Sequence, residues 1–155
     1  MEKEVDKLKF PSYIIELGVI SGDSKNKRKE TYQLGVTNAE LMFIHENGSP
    51  LHHIPSRPVL KLTYEWLTSE GKIELVKTMV KCVGLVMMER PIEEIDNEMD
   101  KLCLKIQNHA RKIIYSNDGQ LVPNAPSTVR KKGDNHPLFD TGQLARSITC
   151  RARRI

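Results

Sequence analysis

Apolar residues recur along this chain at two periods, and the switch between them sets out the architecture. Near the start, Tyr13-Ile14-Ile15-Glu16-Leu17-Gly18-Val19-Ile20 is a β-branched and aromatic run that predicts a strand. Ser21 to Glu30 is polar and carries Gly22-Asp23 and the basic run Lys25-Asn26-Lys27-Arg28-Lys29, the composition of a solvated loop tip. Tyr32-Gln33-Leu34-Gly35-Val36 then reads as a returning strand, which gives a β-hairpin over 9–37. From Asn38 the period lengthens. Asn38 is placed to cap a short helix, Ala39 to Glu46, that Gly48 stops.

Ser49 to Pro58 holds Pro50, Pro55 and Pro58 and predicts an extended loop. A helix follows from Val59 to Leu67, with Val59, Leu62 or Thr63, Trp66 and Leu67 on one face. Between Glu70 and Met88, Ile73, Val76, Met79, Val80, Val83 and Met87 recur at three and four residues, so helix is favoured again, with Gly84 a weak point and Arg90-Pro91 the break. The clearest element runs from Ile92 to Tyr115. Ile92, Ile95, Met99, Leu102, Ile106, Ala110 and Ile113 form one apolar stripe. Glu93, Glu94 and Asp96 at its start, and Arg111 and Lys112 at its end, complement the helix dipole.

After Ser116-Asn117-Asp118-Gly119 the chain turns polar. Ser127-Thr128 can cap one helical turn that Gly133 ends, and Asp140 with Gln143 three residues on resembles a capping box. Ser147 to Arg153 alternates as a terminal strand should. The order is hairpin, helical middle (38–116), then loop and strand (117–155). It predicts one α+β domain over 1–155, with an antiparallel sheet of the hairpin and the C-terminal strand against several helices.

Composition narrows the classes. The 155 residues, 39% hydrophobic, suffice for a core. No run approaches the roughly 20 apolar residues of a membrane span, and the charged opening Met1-Glu2-Lys3-Glu4 is not a secretory signal. Cys82, Cys103 and Cys150 are too few and too scattered for a disulfide framework or a zinc finger, so the expectation is a soluble protein made in a reducing cytoplasm. The net charge of +4 is concentrated at one end. Arg130 to Ile155 holds seven basic residues (Arg130, Lys131, Lys132, Arg146, Arg151, Arg153, Arg154) against Asp134 and Asp140. Such a tail invites weak, backbone-directed nucleic-acid contact, but no aromatic residues interleave to stack bases.

The chemistry-bearing residues match no specific catalytic or metal pattern. His45-Glu46 with His52-His53 lacks the H-e-x-x-H spacing that sets two imidazoles on one helical face, and Gly48 and Pro50 intervene. Cys82 and Cys103 lie in apolar helical patterns, whereas Cys150, beside arginines in a strand, is the more reactive candidate. No phosphate loop, dinucleotide fingerprint or nucleophile elbow occurs.

Two ordered blocks are more specific. The first is His45-Glu46-Asn47-Gly48 followed by Ile54-Pro55-Ser56-Arg57-Pro58-Val59-Leu60. The second is Pro137-Leu138-Phe139-Asp140-Thr141-Gly142-Gln143-Leu144-Ala145-Arg146-Ser147-Ile148-Thr149, preceded by Ser127 to Gly133. In this order they resemble the tailed-phage virion-morphogenesis family of neck and tail-completion proteins. Asn47 stands where that family has an aromatic residue, and Val59 where it has Phe. The resemblance implies a non-enzymatic virion protein without cofactor or metal. It would be a ring of expected six-fold symmetry at the head–tail junction, assembled in the host cytoplasm with connector and tail-tube proteins, through which DNA passes. Its motif residues are His45, Glu46, Gly48, Ile54, Pro55, Arg57, Pro58, Pro137, Leu138, Asp140, Thr141, Gly142, Leu144, Ser147 and Ile148. Physically, Arg57 between two prolines is held rigidly, suited to a carboxylate within or between subunits or to a helix C-terminus. The Asp140-Thr141-Gly142 turn reads as structural. Lys25, Lys27 and Arg28 at the hairpin tip, Arg57, and Arg151, Arg153 and Arg154 on the last strand are the candidate interface residues. The alternatives are a small basic nucleic-acid-binding domain and a metal-dependent hydrolase built on His45, Glu46, His52 and His53.

Overall fold

A computed structural model describes residues 10–20 and 35–155. Among them are β1 (Tyr13–Gly18), α1 (Asn38–Asn47), α2 (Val59–Thr68), α3 (Lys72–Met87), α4 (Ile92–Ser116), α5 (Pro126–Lys132), α6 (Gln143–Ser147) and β2 (Thr149–Arg154). A 3-10 turn, Pro50–His52, sits in the proline-rich loop. The class is α+β, with an antiparallel sheet packed on helices that include one long amphipathic one.

The sheet pairs the two ends of the chain. β1 runs antiparallel to β2, from Tyr13 opposite Arg154 to Gly18 opposite Thr149. The expected partner of β1, Tyr32 to Val36, falls largely outside the described residues, as do Lys25, Lys27 and Arg28; Gly35 and Val36 lie in no strand. Alternation puts Leu17, Ile15, Cys150 and Ala152 on the face toward α4, and Ile14, Glu16, Arg151 and Arg153 on the other.

The long helix is the organiser. Its stripe buries Ile95, Leu102, Ile106, Ala110 and Ile113 as the spacing predicts, and Cys103 and Ile114 join them. Each such burial contributes roughly 1.5–3 kcal/mol for the larger side chains. Around its C-terminal half, Ala110, Ile113 and Ile114 meet Met42 of α1, Val59 of α2, Leu121, and Leu144, Ala145 and Ile148. Both sequence blocks therefore deliver their apolar residues to one cluster.

Three capping expectations are corrected. Ala125, not Ser127 or Thr128, is the N-cap of α5, and it offers no side-chain acceptor. Thr37, not Asn38, is the N-cap of α1: its hydroxyl accepts from the Glu40 amide and the Glu40 carboxylate accepts from the Thr37 amide, a complete capping box. Asn38 is the first helical residue and is buried. Gly142, not Asp140, is the N-cap of α6, in the left-handed region at φ 74° and without a side-chain cap bond.

Trp66 of α2 stacks on His109 of α4 at a centroid distance of 3.9 Å. Gly71 makes room for the indole, since a Cβ there would lie 2.8–2.9 Å from the Trp66 ring. Burial pushes the His109 pKa below its ordinary 6.5; Lys112 lowers it further and Glu70 opposes both. Folding thus favours the neutral imidazole. That contribution is present above the unfolded value of 6.5 and is lost as pH falls through the depressed folded value. Urea unfolding at a series of pH values should show this decline, and the His109→Gln variant should show a flatter one.

Candidate functional site

The first block folds back on itself as a clasp. Ser49 and Ile54 exchange backbone hydrogen bonds at 2.8 and 2.9 Å, and the Arg57 amide donates to the His45 carbonyl at 2.6 Å. The Ser56 hydroxyl donates to the Glu46 carbonyl at 2.7 Å. Gly48 packs against the backbone of Ile54 to Ser56, at φ 75° and ψ 176°. Ile54 is half-buried, and Pro55 is exposed on the outside of the clasp.

Glu46 supplies what the next helix lacks. The N-cap of α2 is Pro58, which has no side-chain acceptor. The two oxygens of Glu46 take the role instead, accepting from the amides of Leu60 at 3.0 Å and Lys61 at 2.8 Å. A carboxylate at a helix N-terminus also meets the positive end of the dipole. Glu46→Ala should destabilise the protein by about 1–2 kcal/mol in urea unfolding, the usual cost of a lost cap. Committed to those amides, Glu46 serves α2 in this structure rather than a metal. Among the described residues no group of three or more His, Cys, Asp or Glu could hold a metal ion.

Arg57 is 6% exposed. Its guanidinium meets neither of the expected partners. Nε donates to the Val122 carbonyl at 2.7 Å and Nη2 to the Pro123 carbonyl at 2.8 Å. The residue placed among the interface candidates is thus an internal strut that fixes the loop between α4 and α5, and burial lowers its pKa.

The second block is held in the same way, by cations on carbonyls. Lys132 of α5 donates to the carbonyls of His136, at 3.0 Å, and Phe139. Arg111 of α4 donates to the carbonyls of Arg146, at 3.0 Å, and Ile148, at 2.8 Å, closing the C-terminal end of α6. His136 Nε2 lies 2.5 Å from the Ile114 carbonyl. Pro137, Leu144, Ser147 and Ile148 are buried, and the Ser147 hydroxyl donates to the Leu144 carbonyl at 2.7 Å. Leu138 adopts φ 59°, a left-handed conformation costly for a side chain of its kind. Gly142 is enclosed: a Cβ there would sit 3.0 Å from the Arg146 guanidinium and 3.2 Å from the Phe139 ring. Asp140 and Thr141 stand at the exposed outside of this turn.

The arginine strand is less free than its sequence implies. Arg151 pairs with Glu16 across the sheet at 2.6 Å, and Arg154 reaches Asp96 near the start of α4 at 3.2 Å. Asp96 also accepts from the Tyr13 hydroxyl at 2.5 Å; burial first, then this bond, pushes the Tyr13 pKa up to about 12. Arg153 and Arg154 border an open hollow of about 350 Å³ together with Tyr13, Asp96, Asp100 and Ala152. Two of the three terminal arginines thus have carboxylate partners within the chain. The Cys150 expectation is also revised. Its thiol interacts with Cys103 and is half-buried, and both effects push its pKa up, away from thiolate reactivity.

One surface stands apart from the two blocks. No residue of α3 is buried. Its repeating apolar stripe faces outward, with Ile73 at 58%, Val80 at 67% and Met87 at 66% exposure. Its contact with α4 is made by the opposite face, where Glu74 pairs with Lys105, and Lys81 with Glu98 at 2.8 Å. Periodicity alone announced the helix but not which way the stripe points. Comparison with protein-family models, curated proteins and solved structures finds no match to this chain.

Proposed function

We propose that this chain is a structural subunit of a tailed-phage particle, a neck or tail-completion protein that joins a ring of six copies at the head–tail junction and leaves a passage for DNA. The observation that carries the reading is the division of labour in the molecule. The motif side chains Glu46, Arg57, Leu144, Ser147 and Ile148 hold the fold, while a whole helical face of apolar residues is left for contact. That is the economy of an assembly subunit rather than of a catalyst, whose polar groups would converge on a cleft. The two-stranded sheet, with Arg153 and Ile14 on its outer face, is the proposed ring contact. DNA contact is weak and directed at the backbone, because Arg151 and Arg154 are partly neutralised by Glu16 and Asp96.

Native mass spectrometry over a range of protein and salt concentrations, with and without short duplex DNA, tests the reading. A six-copy species at high concentration, with only weak and salt-sensitive DNA binding, is expected. A strict monomer that binds duplex DNA tightly would replace the proposal with the nucleic-acid-binding alternative.

A further inference from the structure

The outward stripe of α3 has a stricter order than amphipathicity requires. Ile73, Val76, Val80, Val83 and Met87 follow one another at steps of three, four, three and four. This is the a/d seam of a heptad repeat, with Ile73, Val80 and Met87 at a, and Val76 and Val83 at d. All five are exposed, as is Met79 beside them. The residues turned to α4, among them Glu74, Thr78, Cys82 and Leu85, are those a coiled coil keeps away from its seam. So the helix rests on its own protein with its back and presents the knobs.

We infer that α3 pairs with α3 of a second copy, antiparallel, about a two-fold axis near the middle of the helix. Area favours a partner of this kind. The exposed seam with Met79 amounts to roughly 600 Å² per copy, the upper end of apolar patches tolerated on monomers. Two copies together present about 1,200 Å², so near-complete burial of the seam reaches the lower end of the range for a stable, specific interface. The two segments outside the described residues, 1–9 and 21–34, hold only Met1, Val5, Leu8, Tyr32 and Leu34 as large apolar residues, too few to cover six.

Charge sets the direction. In a parallel pair, Lys72 at g would face Lys77 at e of the other copy, a like-charge contact. Antiparallel pairing sets e against e and g against g, so these lysines no longer meet. Gly84, at the remaining e position, fits as well. A Cβ there would meet nothing within 4 Å in this chain, yet glycine inside a helix costs about 1 kcal/mol relative to alanine. Close approach of a second helix gives that glycine a purpose.

A two-fold pair does not itself close a six-fold ring. The pair is therefore the form of the free protein at low micromolar concentration, below that at which the ring assembles. It stands independently of the ring, whose contact lies on the sheet.

The test is sedimentation equilibrium of the full chain. The wild type is expected at the mass of two chains at low micromolar concentration. Val80→Glu, which sets a charge in the centre of the seam, is expected at the mass of one, with dissociation at least a hundredfold easier. Gly84→Leu, which fills the close approach, is expected to weaken the pair as well. Both sites are on the surface of α3, and unchanged far-ultraviolet circular dichroism verifies that the variants fold. Spin labels on Lys72→Cys, with Cys82 replaced by alanine, give the direction. A helix of 16 residues spans roughly 24 Å, so antiparallel labels lie about 20 Å or more apart, whereas parallel ones lie near the helix spacing of about 10 Å. A monomeric wild type, or a dimer untouched by Val80→Glu, would overturn the pairing, and a short label distance would overturn its direction. The ring is read separately, because its proposed contact lies on the sheet, which Val80→Glu leaves intact.

Discussion

Alanine in place of Gly48 is expected to cost about 3–5 kcal/mol and to lower Tm by about 10 °C or more. Two effects combine. At φ 75° and ψ 176° the backbone occupies a region essentially reserved for glycine. A Cβ there would also lie 2.8 Å from the Ser56 nitrogen and 3.0 Å from the Ile54 oxygen. These are backbone atoms already held by the Ser49–Ile54 pair and the Ser56–Glu46 bond, so they cannot move aside without opening the clasp. The opening would spread, since Glu46 also caps α2. Thermal unfolding followed by circular dichroism reads the loss. By contrast, alanine at Gly133, where φ is 73° but a Cβ meets nothing within 4 Å, carries the strain of the positive φ alone and should cost much less.

Replacing Arg57 with methionine is expected to cost about 3 kcal/mol, because two charge-assisted bonds are lost together and the carbonyls of Val122 and Pro123 must find other donors. Lysine should rescue only part of this. It keeps the charge but offers a compact ammonium in place of the planar fork that reaches two successive carbonyls. The damage should be local before it is global. Limited proteolysis should cut the methionine variant faster around 117–125, while hydrogen exchange in the middle of α4 stays near wild type.

The sequence disclosed what depends on near neighbours. The stripe from Ile92 to Ile113 located α4 almost to the residue, and Gly48 and Gly133 marked the ends of α1 and α5. The cap of α1 was missed: the expectation fell on Asn38, although the Thr37-x-x-Glu40 pattern beside it carries the reciprocal bond. What stayed hidden depends on distant partners. Nothing near Arg57 shows that its acceptors lie 65 and 66 residues further on. Nothing near Pro58 shows that Glu46 stands in for the missing cap. The direction of α3 was hidden for a different reason: its second face carries Leu75 and Leu85 beside Glu74 and Lys81, enough to hold α4. An amphipathic period says that a face is covered, not by what. The strict three-four order of the seam was the available signal.

The candidate site divides along the same line. The motif blocks could be picked out in the sequence, but their roles emerged only in three dimensions, as struts around one end of the long helix. The proposed contact surfaces lie elsewhere, on α3 and the outer face of the sheet. Cations hold the carbonyls of both blocks, and the uncovered apolar face of α3 is what the proposed assembly role rests on.

The most direct test of that account is to locate the protein. On the proposed reading the cells that encode this chain release phage particles, and gold-labelled antibody against it should mark one point on each, the junction between head and tail. Label spread along the tail or over the head, or particles that carry none while the protein remains in the cell, would contradict the account.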